Sequence, residues 1–239
     1  MVESIKKLRE ICQKPVTFNS FYQRIMARRF SIYLVWLLIP FKVSGNLASF
    51  LMLLTGITAS IFFTVGSYWF YVIGTLLLQL WFVLDHADGE LARYWKKAST
   101  KGIFIDKLTH HIVHPLIFLG LSIGLYKQFN NPIMLILGAF TAYFLLLQDL
   151  INIDKVEAIR IASKIKTKNN KEEKLTLKNS LFTKVTSVVY KIPGLMNIVT
   201  ISAILNILHF TFFFYAVTFP IMILLKLIYN LKIPEEQFK

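Results

Sequence analysis

Asp85, Asp88 and Asp106 stand in the run Asp85-His86-Ala87-Asp88-Gly89-Glu90-Leu91-Ala92-Arg93, followed after eight residues by Gly102-Ile103-Phe104-Ile105-Asp106 and then His110. If the first run continues a helix, Asp85 and Asp88 are three apart and project from one face on successive turns. Asp106 and His110, four apart, share a face of the next helix, and the short link 94–101 lets the two helices stand side by side. Three carboxylates and an imidazole can then converge. Bare anions at such a spot repel one another, and a divalent cation is the usual remedy because it favours their charged forms. Oxygen ligands of this kind suit magnesium or manganese. Gly89, Ala92 and Gly102 are small enough for a planar group or a phosphate to approach the backbone, and Arg93 supplies a guanidinium fork for phosphate oxygens.

The elements that must position these groups are membrane helices. Hydrophobic residues make up 55% of the 239 and aromatics 15%, and the mean hydropathy is +0.56, a composition rare among soluble domains of this length. Long uncharged stretches run from Leu47 to Leu84, Leu108 to Leu125, Ile133 to Gln148 and Ile192 to Leu225. With about 20 apolar residues needed per span, they predict an all-α membrane protein of six transmembrane helices, over 46–66, 69–91, 102–126, 132–151, 193–208 and 210–231. The last pair has no polar turn, so one long tilted helix stays open as an alternative. Residues 1–42 are expected to form a cytoplasmic N-terminus with an interfacial helix, and 43–239 a transmembrane domain with a cytoplasmic loop at about 152–192. Carboxylates within or beside such spans usually mark sites that handle ions, protons or charged substrate.

Charge sets the expected orientation. Of 27 Lys and Arg, eight precede Asn46, five lie between Arg93 and Lys107, ten between Lys155 and Lys191, and three follow Leu225. The positive-inside rule then puts both termini and the acidic run on the cytoplasmic side of the cell membrane. The net charge of +14 is accounted for by topology and by contact with anionic membrane lipids, and no nucleic-acid partner is expected, since the basic residues flank spans and no aromatic-basic recognition module occurs. Cys12 is the only cysteine, which excludes a disulfide framework or thiolate cluster, and the polar, charged start does not resemble a signal peptide. Between Thr17 and Ile32, apolar Phe18, Phe21, Tyr22, Ile25 and Ile32 recur at mostly helical spacing while Gln23, Arg24, Arg28 and Arg29 point elsewhere, as in a helix lying in the interface. Ser31–Pro40 is apolar but too short to span, and is expected in the interface or packed on the bundle.

At the acidic run the chain resembles the CDP-alcohol phosphatidyltransferase family. The pattern Asp-x-x-Asp-Gly-x-x-Ala-Arg, eight residues, Gly-x-x-x-Asp is matched by Asp85, Asp88, Gly89, Ala92, Arg93, Gly102 and Asp106, seven positions over 22 residues. The resemblance covers roughly residues 17–150 and includes the polar Ser44-Gly45-Asn46-Leu47-Ala48-Ser49 leading into the first span. It implies a six-helix membrane enzyme, usually a homodimer, that uses two divalent ions to move a substituted phosphate from a CDP-alcohol donor to a hydroxyl acceptor, releasing CMP. Asp85, Asp88 and Asp106 would be metal ligands. Gly89, Ala92, Arg93, Ser99 and Gly102 would border the CDP end of the donor. Asn46 and Ser49 resemble a Pro-Asn-x-x-Thr motif facing the same nucleotide pocket, with Gly45 departing from the proline and Ser49 from the threonine.

The larger departure is His110. The family pattern closes with a fourth aspartate, which would ligate metal and deprotonate the acceptor hydroxyl, and His110 stands in its place. Three readings stay open. His110 is the base, matched to the task by an imidazole that ordinarily titrates near pH ~6.5; or it is a nitrogen ligand that tilts the site toward manganese, cobalt or zinc; or catalysis has been lost. One carboxylate fewer also weakens the hold on a second dication unless the donor diphosphate completes its shell.

Other polar groups carry blander expectations. Asp106, His110 and His114 form a stripe that invites a zinc reading, but His114 lies ~12 Å along the helix from Asp106. His114 is expected to bond a polar partner in the bundle or line the acceptor pocket, His111 to point elsewhere, toward a dimer interface, and Pro115 to bend its helix. Glu90 reads as a charge at the cytoplasmic edge, Asp149 and Asp154 as helix-end charges, with the acceptor pocket as the alternative for Asp149, and Phe210–Tyr215 as lipid-facing surface. Two other functions compete. A transporter should carry its acids near the midplane on broken helices or repeats, and a non-catalytic membrane protein keeping a degenerate site should not bind CDP.

Overall fold

A computed structural model describes residues 3–13, 27–166 and 192–231. The described residues are helical with no strand: α1 Ile5–Cys12, α2 Arg28–Leu38, a 3-10 turn Ile39–Phe41, α3 Gly45–Phe63, α4 Tyr68–Tyr94, α5 Thr100–Phe129, α6 Ile133–Lys166, α7 Ile192–Ile204 and α8 Leu208–Leu231. The interfacial helix expected over Thr17–Ile32 falls mostly outside the described residues. The described helix nearest to it, α2, packs on α4 with Ser31, Ile32 and Val35 buried.

Among the described residues five helices, α3, α4, α5, α8 and the Ile133–Asp154 part of α6, are long and apolar enough to cross a bilayer. The sixth expected span corresponds to α7, an apolar helix described from Ile192 to Ile204, with the residues before it outside the described ones. The open question over the last pair is resolved in favour of two helices. Asn206 takes a left-handed conformation at φ 58°, and the Ile207 N–H donates to the Ser202 carbonyl at 2.8 Å, so three residues reverse the chain without a polar turn sequence. α6 overruns its expected end at 151 and continues to Lys166. Asp149 therefore sits inside a continuous helix, not at its end.

α3, α4 and α5 form the central layer. Its core joins Met52, Ala59 and Phe63 to Leu78 and Trp81 and to Val113, Ile117 and Phe118, and α7 and α8 add Val199, Phe212, Tyr215 and Phe219. Phe210–Tyr215 thus divides by helical period, with Phe210 and Phe214 outward and Phe212 and Tyr215 in the core, a correction to the wholly lipid-facing expectation. Small residues set the spacing, as is usual where lipid supplies no hydrophobic drive between helices. A methyl on Gly56 would stand 2.5 Å from both Val113 methyls and 2.9 Å from Trp81 Cδ1. A second apolar cluster, Leu8, Cys12, Ile32, Val35, Ala48, Ala87 and Leu91, closes the end of the bundle that carries the acidic run.

Candidate active site

Two serines fix the helix starts that face this run. The Ser44 hydroxyl accepts from the Leu47 N–H at 3.2 Å and opens α3; Ser99 accepts from the Gly102 N–H at 3.0 Å and opens α5. Each satisfies a donor that a helix start leaves without an intrahelical partner. With α5 so begun, Asp106 and His110 face Asp85 across the helix pair.

His110 Nε2 lies 2.8 Å from Asp85 Oδ1 and 3.4 Å from Asp106 Oδ1. Asp85 Oδ2 is 3.3 Å from His86 Nδ1. Ligand-capable atoms of Asp85, Asp106 and His110 all fall within 4.8 Å of one another, the one such group among the described residues. Asp106 Oδ1 is shielded from solvent and makes no well-formed hydrogen bond, its partner being His110 Nε2 at 3.4 Å. A buried carboxylate oxygen so weakly partnered is costly, and a cation between these oxygen and nitrogen atoms would satisfy it, so the residues present fit a divalent metal.

Asp88 does not join that group of three. It is 7% exposed, and its oxygens are engaged by the Ser49 hydroxyl at 2.6 Å and by the Gly89 N–H. The first turn of α3 reaches both halves of the motif, since Ser49 binds Asp88 while Asn46 Oδ1 would stand 2.8 Å from a methyl on Gly102. A methyl on Gly45 would meet the Asp88 carbonyl at 2.7 Å and Ala92 Cβ at 3.0 Å. The small side chains at 92 and 102 thus admit α3 itself, and the space beside Gly89 is where the Arg93 guanidinium lies, Nη1 being 3.3 Å from a methyl placed there. Arg93 Nε donates to the Cys12 carbonyl.

Behind His110 runs a second set of polar groups that the spacing only partly showed. His110 Nδ1 is 3.2 Å from His114 Nε2, His114 Nδ1 is 3.8 Å from Asp149 Oδ2 and His111 Nδ1 is 3.1 Å from the same oxygen. His114 therefore has the polar partner expected of it, and it touches His110 through the nitrogen a zinc ion would need. His111 faces α6. Trp81, fully buried, sets its ring edge-on to His110 and His114, with centroids 5.0 and 5.6 Å away. A tryptophan in an apolar run gave no sign of this, and the acidic partner of His111 lies 38 residues further on.

Glu90 corrects the sequence reading most sharply. Only 2% exposed, it accepts from Gln13 Nε2 at 2.9 Å and from the Ser31 hydroxyl at 3.0 Å, so it is an internal junction rather than an edge charge. Close by, burial pushes the Cys12 thiol up to about 11, and the Tyr94 hydroxyl, donating at 2.7 Å, holds the Glu3 carboxyl below its ordinary value.

The whole describes a multi-pass helical membrane protein with an acid-histidine cluster at one end of its central helices. Residues 45–226 match the profile of CDP-alcohol phosphatidyltransferases, and the chain belongs to that family. Comparison with curated proteins gives no match. Membership makes the protein a transferase whose reaction takes a phosphate group from a CDP-alcohol to an acceptor in lipid synthesis, and family members generally use divalent metals.

Proposed function

We propose that the protein is a metal-dependent phosphotransferase that moves a substituted phosphate from a lipid-linked CDP-alcohol, such as CDP-diacylglycerol, to a hydroxyl acceptor and releases CMP, working as a homodimer with its active site and termini on the cytoplasmic side. The observation that carries this reading is the meeting of Asp85, Asp106 and His110, with a buried Asp106 oxygen whose one polar contact is His110 Nε2 at 3.4 Å. A largely apolar cavity of about 600 Å³ lies on the side of α4 that faces α2 and α7, lined by Phe30, Leu80, Phe82, Val83 and Ile201 together with Gln79, Asn197 and Thr200. It is apart from the acids, and the lipid-linked donor is proposed from family membership.

In this reading Asp85, Asp88 and Asp106 hold magnesium or manganese ions, with Ser49 orienting Asp88. Such ions, when bound, neutralise charge on the donor diphosphate. Arg93 and the α3 and α5 starts, with Asn46, Ser99 and Gly102, border the nucleotide. His110 turns only Nε2 toward the acids, because Nδ1 faces His114. Base and metal ligand are therefore competing uses of one atom, and we assign it to the base. For this use the imidazole must be neutral at Nε2, with the carboxylates it contacts at 2.8 and 3.4 Å engaged by the ions instead. Nε2 would then take the acceptor's hydroxyl proton, the acceptor oxygen would bond to the phosphorus that bears the donor alcohol, and the bond to CMP would break with its electron pair leaving on CMP. Asp85 Oδ1, 2.8 Å away, stabilises the imidazolium that results.

The test is CMP release by the purified protein in detergent, with mass spectrometry of the lipid products when CDP-linked donors and candidate acceptors are offered. Asp106→Asn should abolish release, and undiminished turnover would sink the assignment. His110→Ala should lose at least ~100-fold, whereas His110→Asp should recover part of the rate. A metal preference that shifts in His110→Ala while the rate survives would make His110 a ligand instead.

A further inference from the structure

We infer that α1 is a positioning element of the donor site: through the Cys12 carbonyl it orients Arg93, and buried Glu90 is the latch that fastens α1 and α2 to α4. The inference rests on the reading above in which Arg93 binds donor phosphate.

The cytoplasm-facing turns of α4 are built to receive a helix. Ala87, Glu90, Leu91 and Tyr94 follow three- and four-residue spacing and form one face. Against it lie Leu8 and Cys12 of α1, both without exposed surface, together with Ile32 and Val35 of α2. Glu90 Oε1 collects Gln13 Nε2 and the Ser31 hydroxyl, and the same Gln13 nitrogen donates to the Arg28 carbonyl at 2.8 Å, so one side chain ties three helices. The far end of α1 is clasped by Tyr94 and Glu3. A carboxylate this deep, with Oε2 lacking any hydrogen bond, is an expensive way to fill space. Its position three residues before Arg93 suggests what it secures.

The last carbonyls of a helix lack intrahelical partners and carry the negative end of its dipole. Cys12, the final residue of α1, offers such a carbonyl to Arg93 Nε. An arginine binds phosphate as a rigid planar fork, so fixing Nε fixes the plane in which both Nη groups point. That plane lies over Gly89, with Nη1 and Nη2 3.3 and 3.7 Å from where a methyl on it would stand. Without α1 the side chain would rotate among its rotamers, and each donor molecule bound would have to order it anew. Coupling of this kind is reciprocal: if docked α1 strengthens nucleotide binding, bound nucleotide must strengthen docking of α1 by the same factor.

The experiment uses the full chain in detergent, with CDP and Mn²⁺ as the probe, and reads three quantities: CDP affinity, hydrogen exchange of backbone amides in residues 5–13, and kcat and KM for the donor. CDP should slow exchange in α1. Glu90→Ala should weaken CDP binding and raise donor KM by about 10-fold with kcat little changed, while Glu90→Gln, which keeps the accepting oxygen, should stay near wild type. Gln13→Ala, on the rim of the contact, serves if Glu90→Ala does not fold, and should shift KM in the same direction. Arg93→Ala should lose both tight CDP binding and the CDP-dependent protection of α1. Unchanged CDP affinity in folded Glu90→Ala or Gln13→Ala, or α1 exchange indifferent to CDP while Arg93→Ala still loses binding, would overturn the inference and leave the transferase reading standing. CDP affinity retained by Arg93→Ala would overturn the role of Arg93 itself.

Discussion

Replacing Ser49 by alanine deletes one hydroxyl and no framework, and the structure sets how much that should matter. The Ser49 hydroxyl has a single proton and two acceptors in reach, the Gly45 carbonyl at 3.2 Å and Asp88 Oδ2 at 2.6 Å; the shorter, charge-assisted bond wins it. Asp88 is 7% exposed, so water cannot readily replace the lost donor. Hydrogen bonds to charged groups contribute about 1.5–3 kcal/mol. If Asp88 helps to hold a dication, removing the group that orients it should weaken metal affinity about 10- to 100-fold, while Ser49→Thr keeps the hydroxyl and should stay within a few-fold of wild type. The assay is a Mn²⁺ titration of CMP release for wild type, Ser49→Ala and Ser49→Thr, alongside thermal unfolding with and without metal. Ser49→Ala should need more metal for half-maximal rate and should gain less thermal stability from it. A metal requirement identical to wild type would show that Asp88 stands outside the metal site and that its bond to Ser49 is architectural.

Asp149→Asn withdraws the carboxylate that faces His111 and His114, and through His114 the back of His110; kcat should fall about 10-fold with donor KM kept, as steady-state kinetics will show, and an unchanged kcat would detach this network from catalysis. Gly56→Val drives a branched side chain into Val113 and Trp81, where a single methyl already stands at 2.5 Å, and should cost about 1–3 kcal/mol, measured as a lower Tm in detergent. The Cys12 thiol, pushed up to about 11 by burial, is only ~0.1% thiolate at pH 8, so a maleimide should label it slowly in the native protein and quickly once Glu90→Ala loosens α1; equal rates would contradict the latch.

The chemistry of the site was largely legible because its groups sit at helical spacing on adjacent helices. Asp106 and His110 had to share a face, and eight intervening residues between the two halves of the motif left α4 and α5 little choice but to pair. The polar run from Ser44 likewise read as the entry to the first span, whereas the role of Ser99 in opening α5 came only from the structure. What escaped was long-range. Glu90 looks like any charge near a helix end until Gln13 and Ser31, 77 and 59 residues away, close around it. Asp149 lay where hydropathy falls, which reads as the end of a helix, yet backbone hydrogen bonding continues to Lys166 whether or not lipid surrounds it. The role of Gly45 was missed because contact with α4 at Asp88 and Ala92 is a property of two helices and of neither sequence alone. For α7, uniform apolarity concealed a reversal made by backbone conformation at Asn206.

The close seating of α3 on α4 has a consequence for how the site tolerates change. With the Asp88 carbonyl 2.7 Å and Ala92 Cβ 3.0 Å from where a methyl on Gly45 would stand, the two helices meet there backbone to backbone. Any side chain added at position 45 would pry α3 off α4 at the level where the Ser49 hydroxyl reaches Asp88, so bulk at a residue without a functional group of its own would disturb the acids as directly as loss of that hydroxyl.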